Sequence, residues 1–192
     1  MSFLFIDTET TAKADFKAAP DAPQQPRLVQ LGMVLSDGTG KELGSVDLIV
    51  KPDGFSIPKE ASDIHGITQE IAEDCGVPLA LAMDILDAWM TIAETKVAHN
   101  IEYDDFVISG ELLRMGRSTK EPKGFCTMQA MTPECQIPNK WGKFKWPTLQ
   151  EAYSHAFGKE FDNAHSAIAD VRACKDLFFW LKGDRKRELP DL

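Results

Sequence analysis

Residues 3–10 read Phe3-Leu4-Phe5-Ile6-Asp7-Thr8-Glu9-Thr10, and the rest of the chain is read outward from them. Four consecutive apolar residues suit a short strand buried on both faces, yet this one ends on two carboxylates. Side chains alternate along a strand, so Asp7 and Glu9 share one face and bring two negative charges together. Such a pair either holds a proton, destabilises the fold, or accepts a divalent cation that removes the repulsion. Taken alone, an Asp-x-Glu step beside Thr8 and Thr10 also fits an ordinary polar turn, so the other acids have to decide.

After this strand, 11–26 contains three prolines and little periodicity, the signature of a surface loop. Arg27–Leu35 and Gly44–Val50 are β-rich runs separated by Ser36-Asp37-Gly38-Thr39-Gly40, a hairpin signal that predicts a three-strand meander. Thr68 is placed to cap a short helix through Ile71. A longer helix from Pro78 to Ile92 shows Leu79, Met83, Leu86 and Met90 at spacings of three or four. Lys96–Asn100 reads as a buried strand leading into a helix from Glu102 to about Met115. A fifth short strand follows around Phe125-Cys126. Thr148-Leu149 opens a helix that Gly158 stops, and Ala164–Leu181 is the last and longest helix. A meander followed by alternating helices and strands predicts an α/β domain, a central mixed five-stranded sheet flanked by helices, over residues 1–181, with 182–192 as a frayed tail.

The chain has 192 residues and 43% hydrophobic content, enough for one domain with a sizeable core. No apolar run approaches the ~20 residues of a membrane helix, and the expected setting is soluble and cytoplasmic. Cys75, Cys126, Cys135 and Cys174 lack the spacing of a structural zinc site and are read as reduced and mostly buried. The net charge of −9 is unusual for a chain that would bind phosphates.

Two further acid-bearing motifs follow. His99-Asn100-Ile101-Glu102-Tyr103-Asp104-Asp105-Phe106 opens a helix directly after the fourth strand, where either Asp104 or Asp105 satisfies the periodicity and a first-turn acid is also common for dipole reasons. His165-Ser166-Ala167-Ile168-Ala169-Asp170 places an acid among small and apolar neighbours, which predicts burial and a need for a partner. His165 and Asp170 are five apart and converge only if His165 sits in the first helical turn and reaches forward.

In order and spacing, FIDTET, HNIEYD and HSAIAD resemble the three motifs of the DEDDh-type 3′–5′ exonucleases. That superfamily has a ribonuclease-H-like fold and includes replicative proofreading subunits, RNase T and oligoribonuclease. The resemblance runs from Phe3 to about Leu181 and takes in Ile64-His65-Gly66-Ile67-Thr68, which is similar to a motif between the first two in many members. Tyr103 stands where Phe is more usual, and the 11–26 loop is long. The resemblance implies that Asp7, Glu9, Asp104 and Asp170 ligate two Mg²⁺ ions, with Mn²⁺ able to substitute, and that His165 is the general base. It selects Asp104 over Asp105, and the loaded charge would be −9 + 4 = −5. Two cations suit phosphodiester hydrolysis, and a histidine can take the attacking water's proton at neutral pH. Thr8, Thr10, His65 and Asn100 are candidate substrate contacts beside them, while His99 is read as a buttress and His155 as a surface residue.

One stretch stands outside these motifs. Pro138-Asn139-Lys140-Trp141-Gly142-Lys143-Phe144-Lys145-Trp146-Pro147 interleaves three lysines with three aromatics in an acidic chain. Lys140, Trp141, Lys143 and Lys145 are candidates for single-strand contact through charge and stacking; alternatively Phe144 and Trp146 anchor the loop to the core. The implied activity is removal of nucleotides from the 3′ end of single-stranded or frayed DNA, in proofreading or repair, releasing nucleoside 5′-monophosphates. An RNA-trimming or oligoribonucleotide-degrading enzyme is the alternative, and a catalytically inactive nucleic-acid-binding module is the reading from another class. A polymerase or sliding clamp is a possible partner, through the tail.

Overall fold

The computed structural model describes residues 1–184. Five strands, β1 (Ser2–Thr10), β2 (Leu28–Asp37), β3 (Glu42–Ile49), β4 (Thr95–Ala98) and β5 (Lys123–Cys126), form one sheet in the order β3-β2-β1-β4-β5. The first three make the antiparallel meander, and β4 and β5 add in parallel on the other side of β1. The seven helices among the described residues are α1 (Lys59–His65), α2 (Gln69–Cys75), α3 (Leu79–Ile92), α4 (Ile101–Arg114), α5 (Thr127–Cys135), α6 (Leu149–Phe157) and α7 (Ala167–Asp184). None is long and apolar enough to cross a membrane.

The alternation of β1 divides the core. Leu4 and Ile6 join Leu31, Met33 and Leu35 of β2 beneath α3 and α4. Phe3 and Phe5 face α7, where their rings lie 4.9 and 5.5 Å from that of Phe178. Such aromatic pairs contribute about 0.5–1.5 kcal/mol each beyond their buried area. Both layers are therefore sealed by the apolar half of β1, which delivers its polar half to the sheet's edge.

Local signals hold where a side chain closes a backbone donor. Thr148 accepts from the Glu151 amide while the Glu151 carboxylate accepts from that of Thr148, a capping box, and Thr68 caps α2 through the Ile71 amide. Other elements were not signalled. Helix α1 starts after Pro58 without a side-chain cap, and α5 runs through Pro133 within its last turn. The last helix begins at Ala167, three residues later than the pattern suggests, because Asn163 and His165 adopt left-handed backbone, with φ 59° and 69°.

The 11–26 segment is fastened to α4. Gly110 lets the Pro20 carbonyl approach so closely that a Cβ would lie 2.4 Å from it, and Phe16 packs on Phe106 at 4.8 Å. The cysteines are free, but only Cys174 is buried; Cys75 is exposed and Cys126 and Cys135 are half-buried, which corrects the sequence expectation. Lys182 belongs to α7, its ammonium 4.3 Å from the centre of the Phe3 ring. Residues 185–192, the rest of the tail through which a polymerase or clamp contact is expected, lie outside the described residues.

Candidate active site

The carboxyl ends of the parallel neighbours β1 and β4 converge on one rim of the sheet, where open α/β sheets place ligands. Asp7 and Glu9 stand on the α7 face of β1, and Thr8 points to the α4 side. At the turn after β4, Asn100 takes left-handed backbone (φ 76°) and starts α4, and one turn later Asp104 lies 3% exposed. The Thr8 hydroxyl donates to Asp104 Oδ1 at 2.8 Å. That bond fixes the carboxylate beside Asp7 and leaves the neighbouring Asp105 turned away.

Asp105 has a different role. Its Oδ1 lies 2.5 Å from the ammonium of Lys96, a lysine only 1% exposed on β4, and Glu121 also approaches that ammonium at 3.5 Å. Complementing the helix dipole, the general reason for a first-turn acid, is therefore not all that Asp105 does. It neutralises a buried cation.

Glycine and glutamine bring α7 over the acids. Gly32 of β2 is paired with Asp7, and a Cβ there would lie 2.6 Å from the Ala167 carbonyl carbon, so only glycine admits the helix start this close. Gln30, paired with Glu9, accepts from the Ala167 amide at 3.3 Å and donates to Asp47 at 2.7 Å. Asp170, in the first turn, therefore sits over the Asp7–Glu9 face. It is half-buried: its Oδ2 accepts from the His165 amide at 3.3 Å, and its Oδ1 is buried with no hydrogen-bond partner. Gln30 and Gly32, the two residues that interrupt the apolar run from Leu28 to Leu35, were the available signals.

His165 reaches this centre from the left-handed turn before α7, not from the first helical turn. Its ring is exposed, and a ring nitrogen lies with oxygens of Glu9 and Asp170 in a group whose atoms are all within 4.8 Å of one another. Among the described residues no Lys or Arg forms an ion pair with any of the four acids. Their protonation reflects that. Burial, then Asp104, Asp170 and Glu9, holds Asp7 well above the carboxylate range. Burial followed by Asp170 and Asp104 pushes Glu9 up to about 8. Burial raises Asp104 to about 7 against the opposing Thr8 bond, and raises Asp170 to about 6 against the His165 amide. An all-oxygen cluster with an orphaned buried oxygen fits one or two hard divalent cations.

Next to Glu9 opens a cavity of about 480 Å³, lined by Thr10, Tyr103, Pro58, Ile64 and His65 among others. The Tyr103 hydroxyl lies 2.6 Å from that of Thr10 and 2.8 Å from the Ala12 carbonyl, which fixes the floor. His65 accepts from the Ile67 amide through Nδ1 and keeps a buried Nε2 without a partner. His99 supports the rim: Nε2 donates to the Pro147 carbonyl and Nδ1 accepts from Thr127, each at 3.0 Å, and burial pushes its pKa down to about 4. Asn100 shapes the turn through its backbone and makes no side-chain cap. Lys140, Trp141, Lys143 and Lys145 do not line this cavity, and Lys145 is held by Glu151 at 2.6 Å.

A five-stranded mixed sheet flanked by helices, with an acid cluster at its rim, is the ribonuclease-H-like frame of a nuclease. The chain matches the model of the RNase T exonuclease family over residues 4–178 and belongs to that family, the DnaQ-like 3′–5′ exonucleases its motifs resemble. An uncharacterised exonuclease, CP81, of Escherichia phage 186 is 29% identical over 178 residues, which cover 88% of this chain and 82% of the relative. Among solved structures, E. coli exonuclease I bound to a dT13 oligonucleotide superposes with a TM-score of 0.75 at 22% identity, over 95% of this chain. The zinc-bound form of the E. coli exonuclease I complex with single-stranded DNA gives 0.77 at 23% identity over 97%. In both cases this chain spans 41% of the neighbour's length.

Proposed function

We propose that the protein is a divalent-metal-dependent exonuclease that shortens single-stranded DNA from its 3′ end and releases nucleoside 5′-monophosphates. The observation that carries this reading is the cluster of four acids, gathered from β1, α4 and α7, all with raised pKa values and no Lys or Arg counter-ion among the described residues. Asp7, Glu9, Asp104 and Asp170 would hold two cations, Mg²⁺ with Mn²⁺ as a substitute. Cations held there would neutralise the acids and supply the positive charge that phosphodiester hydrolysis needs at the attacking and leaving oxygens.

The chain's own residues do the rest. Thr8 fixes the Asp104 carboxylate, and the Gln30–Gly32 seat fixes Asp170 over Asp7. His165, exposed on its left-handed turn, takes the proton of the attacking water. The cavity beside Glu9 has the size for one terminal nucleotide, with Tyr103 and Thr10 as its floor and His65 at its wall. The single-stranded DNA bound to E. coli exonuclease I supports DNA as substrate, and the free cysteines suit a cytoplasmic setting.

Matched 5′-labelled DNA and RNA oligonucleotides test it. With Mg²⁺ the DNA yields a ladder shortened one nucleotide at a time, excess chelator stops it, and Mn²⁺ restores it. Hydrolysis in excess chelator would overturn the metal assignment, and degradation of RNA alone would make the enzyme a ribonuclease. His165→Ala cuts turnover about 10²–10⁴-fold with metal affinity kept. Parallel loss of metal affinity would make His165 a ligand.

A further inference from the structure

The hairpin between α5 and α6 is unlike the rest of the surface. Residues 137–147 fold back on themselves: Lys145 donates its amide to the Ile137 carbonyl, and Asn139 and Lys143 are paired by a 2.8 Å backbone bond. The Asn139 carboxamide oxygen accepts from the Trp141 and Lys143 amides at 2.9 and 3.1 Å, which holds the tip rigid. On this small frame Trp141 is 73% exposed, Trp146 60% and Phe144 48%. Anchoring to the core, the alternative left open by the sequence, is therefore not what these rings do. The other two tryptophans, Trp89 and Trp180, are half-buried.

Charge distinguishes the hairpin as well. Residues 136–148 contain no Asp or Glu, in a chain that has 30. Lys145 is occupied by Glu151 and roots the hairpin on α6, whereas Lys140 and Lys143 make no ion pair among the described residues. The Lys140 ammonium lies over the Trp141 ring at 4.5 Å, so the ring face and the charge are presented together. The hairpin's base is also tied to the candidate active site, because the Pro147 carbonyl receives the His99 bond at the end of β4.

We infer that this hairpin is a separate strand-binding platform, which stacks bases of single-stranded DNA on Trp141, Phe144 and Trp146 and meets its phosphates with Lys140 and Lys143. The inference rests on the exonuclease reading, and the bound segment is the part of the strand upstream of the 3′ terminal nucleotide. Exposed flat rings beside free cations serve bases and phosphates of any sequence, so the platform is expected to be sequence-tolerant. Its effect is on holding the strand, so it acts on KM and leaves kcat alone.

The test uses the full chain in chelator, where no hydrolysis occurs, with a fluorescent oligothymidylate of about twelve nucleotides as the probe. The wild type binds it with quenching of tryptophan fluorescence. Trp141→Ala and Trp146→Ala each raise Kd about 5- to 150-fold, and Trp141→Phe, which keeps a flat ring, restores most of the binding. Lys140→Ala with Lys143→Ala lowers the slope of log Kd against log salt by about 1.4, at ~0.7 per phosphate contact. With Mg²⁺, the same variants raise KM for the long strand and leave kcat unchanged. A wild type that binds and is quenched yet yields no ladder would sink the proposed activity and keep the platform. A ladder with normal Kd, salt slope and KM in every variant would sink the platform and keep the activity. Quenching by an acidic peptide and not by the oligothymidylate would make the hairpin a protein-docking surface and overturn the inference.

Discussion

Helix α4 carries four acids, and the fold treats three of them, Asp104, Asp105 and Glu111, in two opposite ways. Towards its far end, Glu111, 1% exposed, accepts from the Arg27 guanidinium at 2.8 Å and from the Leu28 amide at 2.9 Å, and Arg114 approaches its other oxygen at 3.5 Å. Asp105 is matched to Lys96. Asp104, almost as buried as Glu111, has the Thr8 hydroxyl as donor and the acids Asp7 and Glu9 as neighbours. Where a buried acid serves the fold, this protein supplies a cation from its own chain. At the rim it supplies none among the described residues, and the proposed cation site rests on that difference.

The largest expected effect breaks the uncompensated side. Asp104→Asn reduces exonuclease turnover by at least ~10³-fold, about 4 kcal/mol in the barrier, and weakens Mg²⁺ binding measured by titration calorimetry. The same variant is no less stable than wild type in chelator and melts about 2–4 °C higher, since a repelling charge is gone. A lower melting point in chelator would show that Asp104 was compensated after all.

Next comes the compensated side. Glu111→Ala leaves the Arg27 guanidinium and the Leu28 amide without their acceptor, removes the counter-charge beside Arg114, and costs about 3–5 kcal/mol in denaturant unfolding, while the folded fraction keeps its turnover per active site. A cost below about 1 kcal/mol would erase the contrast between the two ends of α4. If the variant does not accumulate, Glu111→Gln, which keeps an acceptor oxygen, gives a smaller loss of the same sign.

Asp105→Asn sharpens the comparison between neighbours. It changes turnover by less than about tenfold but lowers stability by roughly 1–3 kcal/mol. That is less than for a fully buried pair, because Asp105 is part-exposed and Glu121 remains near Lys96. An inactive Asp105→Asn with an active Asp104→Asn would exchange the two roles.

The smallest effect is the pH dependence of stability. Acids whose folded pKa lies above the unfolded value bind extra protons in the native state, so stability is full at low pH and falls as pH rises through the folded pKa. With Asp104 raised from 3.8 to about 7 and Glu9 from 4.5 to about 8, that loss runs from about pH 4.5 to 8, and its upper part, from about pH 6.5 to 8, is the window in which the melting temperature in chelator is read. Buried His99, lowered from 6.5 to about 4, acts in the opposite direction but has finished titrating below that window. Saturating Mg²⁺ flattens the slope because the cation replaces the proton. A melting temperature in chelator that is level or rising over this range would contradict the shared burial of the acids.

Much of this was legible in short stretches, because the physics involved is local. Alternation alone puts Asp7 and Glu9 on one face, Thr148 with Glu151 spells a capping box, and Gly158 ends α6 in left-handed backbone. The meander, the order of later elements and the family resemblance follow from such signals. Helices α1 and α5 were missed because they are seven and nine residues long, lack side-chain caps and depend on packing.

By itself the sequence determined that carboxylates would end a buried strand, that acids would recur after the fourth strand and in the last helix, and that lysines and aromatics would share one loop. Only the tertiary structure decided which acids meet. Asp104 and Asp105 are equivalent by period, and the choice between them lies in two contacts outside the helix, Thr8 to Asp104 from the far end of the sequence and Lys96 to Asp105 from the strand just before it. The approach of Asp170 depends on Gly32 and Gln30, more than 130 residues away, and on the left-handed turn that holds His165 outside the helix. Exposure of Trp141 and Trp146 was equally undetermined. A residue's burial depends on what packs over it, and that is settled by contacts the local pattern does not contain.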